Sequence, residues 1–124
     1  MSRPFHRAAL AAAAAASLLS GCGAERPAAA AGTNVERGRL LLAQYQCGSC
    51  HTIPGVPASR GQVAAPLDAF GQRSYIAGRI ANRADALARW IESPQALVPG
   101  TAMPSMGASA ADARDMAAYL SSLK

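Results

Sequence analysis

Cys47-Gly48-Ser49-Cys50-His51 decides how this 124-residue chain is read. Two thiols three positions apart fall within one turn of chain, and an imidazole follows the second directly. A zinc half-site and a thioredoxin-like redox pair share part of this pattern. Zinc needs further Cys or His ligands, and apart from His6 and Cys22, both near the start, the chain has none. A redox pair calls for a βαβ setting, which no stretch of the sequence supplies. The reading that uses all three side chains is covalent haem attachment. The thiols of Cys47 and Cys50 add to the two vinyl groups of one porphyrin, and His51 reaches the iron from the same side as proximal ligand.

Working outward toward the start, Met1 to Arg7 is a basic head carrying Arg3 and Arg7, and Ala8 to Leu19 runs without a charge. That run is shorter than the about 20 apolar residues of a membrane-spanning helix, so residues 1–21 are read as an export signal. Leu19-Ser20-Gly21-Cys22 resembles the lipobox of bacterial lipoproteins, in which the signal is cut before the Cys and the thiol is lipidated. The alternative is an ordinary signal cut within Ala28 to Ala31, with Cys22 discarded. Either way the expected location is the periplasmic side of a bacterial membrane, reached in the first case through a lipid anchor. Residues 22–34, mostly Ala, Pro and Gly, read as a flexible tether, and residues 35–124 as the folded domain.

The formal charge is +5, and without Arg3 and Arg7 ten basic residues face seven acidic ones, leaving +3. So mild and scattered an excess suits encounter with an acidic protein surface and excludes a nucleic-acid partner. A domain of this size is close to the limit at which an apolar core suffices. Its only aromatic residues are Tyr45, Phe70, Tyr75, Trp90 and Tyr119. A large apolar cofactor would supply the missing core.

No segment shows the sustained alternation of a half-buried strand, and three show helical spacing, so the class is all-α. Val35 to Gln46 carries Leu40, Leu41, Leu42 and Tyr45 into the cysteines. Asn82 reads as an N-cap for a helix bearing Leu87, Trp90 and Ile91 and stopped by Pro94. Ser109 and Asp112 form a capping-box-like pair before Ala113, Met116, Leu120 and Leu123. The loops Thr52 to Pro66 and Pro94 to Gly107 are rich in Pro and Gly.

With His6 in the signal, His51 is the sole histidine of the mature chain, which rules out two histidine ligands from one chain. Met103, Met106 and Met116 remain for the sixth position. Met116 lies on the apolar face of the last helix, where methionine usually fills core space. Met103 and Met106 both lie in the Pro94 to Gly107 loop.

At this point the domain resembles class I cytochrome c, and the resemblance runs its whole length. In that family a motif like Pro99-Gly100-Thr101-Ala102-Met103-Pro104 carries the axial methionine. The match implies Met103, with Met106 as second choice. The resemblance also implies close crossing of the terminal helices, at Gly38 and at Ala118-Tyr119-Leu120. It puts Pro66-Leu67 under the proximal side, the Pro66 carbonyl accepting the Nδ1 proton of His51, and Leu87, Trp90 and Ile91 on the distal face. The implied fold is three or more helices around one covalently bound haem c. Tyr75 and Arg79 are candidates for holding the propionates. A His51/Met103 pair leaves no open axial position, so the expected role is that of a non-enzymatic one-electron carrier in a respiratory chain. Its partners would be redox proteins such as a terminal oxidase, a cytochrome complex or a dehydrogenase. The rival readings are a dedicated haem subunit of an oxidase or dehydrogenase, and a haem enzyme or gas sensor with an open sixth position.

Overall fold

The computed structural model describes residues 33–124. The export signal, Cys22 and all but the end of the tether lie outside the described residues. Four helices, α1 (Val35–Gln44), α2 (Ala84–Glu92), α3 (Pro94–Leu97) and α4 (Ala110–Ser122), carry the fold. One antiparallel pair, β1 (Tyr75–Ile76) and β2 (Ile80–Ala81), stands before α2. The all-α class holds, and the hairpin is an addition that periodicity cannot reveal in strands of two residues. Its turn places Ala77 and Gly78 in the left-handed region, and Arg79 N donates to Ile76 O at 3.1 Å.

α1 begins where the composition changes. The Asn34 side chain accepts from Arg37 N at 2.9 Å, which caps the first turn. Asn34 N donates to Asp115 Oδ1 at 2.8 Å, so the cap also ties α1 to α4. Leu41 and Leu42 are buried, whereas Leu40 is 52% exposed. Arg37 strengthens the seam by bridging Asp112 and Asp115. Tyr45 Oη donates to Asp112 Oδ2 at 2.8 Å.

α4 is the central element and packs against both α1 and α2. Ser109 Oγ accepts from Asp112 N at 3.1 Å, as the sequence pairing implies. The Asp112 carboxylate is taken by Arg37 and Tyr45. Ala113, Met116, Ala117 and Leu120 are buried. Met116 is fully enclosed, in keeping with its reading as core filler. The helices cross with Gly38 against Asp115 and Met116, about one turn before the Ala118-Tyr119-Leu120 segment that the resemblance pointed to.

α2 departs from its sequence reading at the start. Its N-cap is Arg83 and makes no side-chain capping bond. Asn82 instead donates through Nδ2 to Phe70 O at 3.0 Å and Arg73 O at 2.9 Å, pinning the turn at Phe70–Gln72 to the entry of α2. Leu87, Trp90 and Ile91 are buried. The helix stops at Ser93, and Pro94 opens the single turn α3, where its missing N–H costs nothing.

Candidate cofactor site

After α1, Gln46 adopts a left-handed conformation (φ 55°) that turns the chain into a tight 3₁₀ turn at Cys47–Ser49. The following loop wraps this turn. A β-carbon on Gly48 would lie 2.5 Å from Ser59 Cα, so only glycine admits that approach. Gly61 N donates to Gly48 O at 2.9 Å, Ala64 N to Cys50 O at 3.0 Å and Leu67 N to Thr52 O at 2.8 Å. The buried Ser59 hydroxyl donates to His51 O at 2.9 Å.

This wrapping sets the imidazole. His51 Nδ1 lies 2.7 Å from Ala65 O. A carbonyl only accepts, so Nδ1 carries the proton, and Nε2 is the ring nitrogen left to face a metal. The acceptor is therefore Ala65 and not Pro66, whose carbonyl accepts from Arg73 Nη2 at 2.6 Å. Ala65 precedes a proline and is confined to extended conformations, while the Leu67 bond to Thr52 holds the chain beyond it.

Cys47, Cys50 and His51 line a cavity of about 540 Å³, well within the range of roughly 300–1,000 Å³ usual for cofactor sites. Both thiols are free. Burial pushes the Cys47 thiol above its ordinary value, and the neighbouring Cys50 adds to the effect, so Cys47 keeps its S–H form at neutral pH. Leu87, Trp90 and Ile91 of α2 supply another wall, together with Met103. Met103 is half-buried, Met106 touches the same cavity but is 44% exposed, and Met116 stands apart in the core.

Of the two propionate candidates, Tyr75 lines the cavity and Arg79 does not. The basic side chain on the wall is Arg73, which the sequence reading missed. It donates to the Pro66 and Asp68 carbonyls, and its guanidinium lies 5.3 Å from the centre of the Phe70 ring. No spacing signal separates Arg73 from Arg79 in a loop.

Among the described residues no group of three or more His, Cys, Asp and Glu side chains is placed to hold a bare metal ion. Two thiols, one imidazole with a free Nε2, one thioether and largely apolar walls are the donor set for a covalently attached haem c, and the residues fit it.

Comparison with known proteins agrees. A family model described as Cytochrome c matches residues 35–124. Among curated proteins, the chain is similar to "Cytochrome c oxidase subunit 2" of Alkalihalophilus pseudofirmus, 34% identical over 93 residues. That match takes in 74% of this chain and 26% of the relative, so the chain spans about a quarter of that protein's length. No solved structure gives a significant match. Since the matched stretch opens on the first residue of α1 and takes in every residue of the cavity wall, the chain belongs to the cytochrome c family, and its fold is of class I.

Proposed function

We propose that this protein is an exported one-electron carrier that holds a single haem c through thioethers to Cys47 and Cys50, with His51 and Met103 as axial ligands. The observation that carries the reading is the convergence of all four side chains on one cavity, with His51 Nδ1 already engaged by Ala65 O. Bound there, haem c supplies a ferric/ferrous couple that passes one electron at a time. His51, held in one tautomer, presents Nε2 without reorienting between oxidation states. Met103 offers a soft thioether, which favours ferrous iron and raises the potential. Leu87, Trp90 and Ile91 are buried and keep water off the cavity wall. With both axial positions taken, O₂ and peroxide find no open site, so transfer of electrons and not catalysis is the role.

Export and lipidation at Cys22 would hold the carrier at the periplasmic side of a bacterial membrane, with residues 22–34 as its tether. Its partners would be respiratory redox proteins. A second reading, a dedicated subunit of one oxidase, gains support from the relative named as an oxidase subunit, in which a stretch like this domain is a quarter of a longer chain.

Mass spectrometry of the mature protein tests attachment and anchoring together: one haem on the Cys47 to Cys50 segment and a lipid on Cys22 are expected. The ferric protein should show a low-spin spectrum with a methionine-to-iron charge-transfer band. Met103→Ala should remove that band and Met106→Ala should leave it. A high-spin ferric spectrum without the band would sink the carrier reading.

A further inference from the structure

We infer that Gln95 is a positioning residue for Met103: its side-chain amide holds the methionine segment to α3 and so keeps the thioether on the cavity. The inference rests on the assignment of Met103 as axial ligand and extends it to a residue outside the cavity wall.

The segment around Met103 has almost no backbone support. Thr101 N donates to Val98 O at 3.1 Å, but among the described residues no backbone to backbone hydrogen bond reaches residues 102–108. Side chains take over. Gln95 Nε2 donates to Met103 O at 2.6 Å, Thr101 Oγ1 accepts from Met103 N at 3.4 Å, and Ser105 Oγ donates to Glu92 O at 3.2 Å. The Gln95 bond is the shortest of the three and the only one that ties the methionine itself to a helix.

Gln95 is well placed to act as an anchor. α3 is fixed by buried Pro94 and by Val98 N donating to Pro94 O at 2.9 Å. It follows α2, whose Leu87, Trp90 and Ile91 line the cavity. Gln95 itself is exposed, so its side chain adds nothing to the core. Where a loop carries few backbone bonds, local opening is governed by the few contacts that close it. Losing one neutral hydrogen bond then favours the open loop by about two- to tenfold.

The test is titration of the full ferric holoprotein with imidazole at fixed pH, following the methionine-to-iron band. Gln95→Ala and Gln95→Glu, which lack the donor, are expected to bind imidazole about two- to tenfold more tightly than wild type. Gln95→Arg, which keeps N–H donors, should stay near wild type in imidazole affinity and denaturation midpoint, and the fall in midpoint of the other two should not exceed the cost of that one bond. Equal affinity in Gln95→Ala and wild type would overturn the role of Gln95. So would a Gln95→Arg protein that behaves like Gln95→Ala. A wild-type band that survives Met103→Ala would overturn the Met103 assignment, and this inference with it. A band that Met103→Ala removes but Gln95→Ala leaves equally resistant to imidazole would overturn only the inference.

Discussion

Gly38 in α1 lies directly against the backbone carbonyl of Asp115 in α4, and the two helices cross at that point. A β-carbon at position 38 would overlap the Asp115 oxygen and come 3.0 Å from Met116 N, and these nearest atoms are all α4 backbone, with no side chain able to yield. Gly38→Ala is therefore expected to cost about 1–3 kcal/mol or more, the scale of overpacking in a close-packed interior. Guanidinium unfolding of the holoprotein would read the loss as a lower midpoint. Leu40→Ala, at a side chain 52% exposed, should stay within about 0.5 kcal/mol of wild type. Equal effects from the two would mean that the crossing is not where the structure puts it.

Asn82 separates two roles that its position confuses. Its amide donates to the Phe70 and Arg73 carbonyls, and α2 starts after Arg83 with no side-chain cap. Asn82→Ala should cost about 1–3 kcal/mol, because two carbonyls lose their donor. Asn82→Asp is the sharper measurement, since aspartate caps helices as well as asparagine does but brings no N–H. It should destabilise nearly as much as alanine. A neutral Asn82→Asp would restore the capping reading.

The Asp112 cluster sets a pH window. Burial raises the Asp112 carboxyl, but bonds from Tyr45, Arg37 and Ser109 outweigh it and hold the group below its ordinary 3.8. A depressed folded value makes its contribution full above about pH 3.8 and lost as pH falls through the lower folded value. Tyr45, by donating to Asp112, is pushed above 10.0, so its contribution is full below pH 10.0 and fades as pH climbs through the raised value. Stability measured against pH should therefore decline on both flanks. Asp112→Asn should flatten the acid limb and Tyr45→Phe the alkaline one. Limbs unchanged by either substitution would show that the cluster does not hold α1 to α4.

Removing the cofactor should cost the domain its fold. Without the cofactor, the apolar wall formed by Leu87, Trp90 and Ile91 has nothing to pack against, in a domain near the size at which a core alone is barely sufficient. Whole domains of this kind are stable by only about 5–15 kcal/mol. A Cys47→Ala/Cys50→Ala chain made without haem should show no cooperative thermal transition and little amide protection in α1 and α4. A sharp transition with protected helices would mean that the polypeptide core suffices alone.

What could be read from the sequence was what neighbours in the chain do to each other. Cys47, Cys50 and His51 announce their chemistry within five residues, and the Ser109 cap of α4 lies three residues from the N–H it accepts. Counting histidines and methionines needed no coordinates either, and it leaves Met103, Met106 and Met116, among which the resemblance implies Met103. The misread features all depend on partners far along the chain. Ala65 rather than Pro66 faces His51 because three backbone bonds between residues 48–52 and 61–67 fix the path of that loop. Asn82 serves carbonyls nine and twelve residues away. Arg73 stands on the cavity wall and Arg79 does not, although both lie in the same polar stretch. Gly38 meets Asp115 across 77 residues of sequence. The sequence alone determined the chemistry, because covalent geometry and hydrogen-bond reach confine a motif to a few residues. Which carbonyl, which arginine and which turn of α4 would serve it was decided only when close packing brought distant segments into contact, and a pattern of neighbours carries no record of that choice.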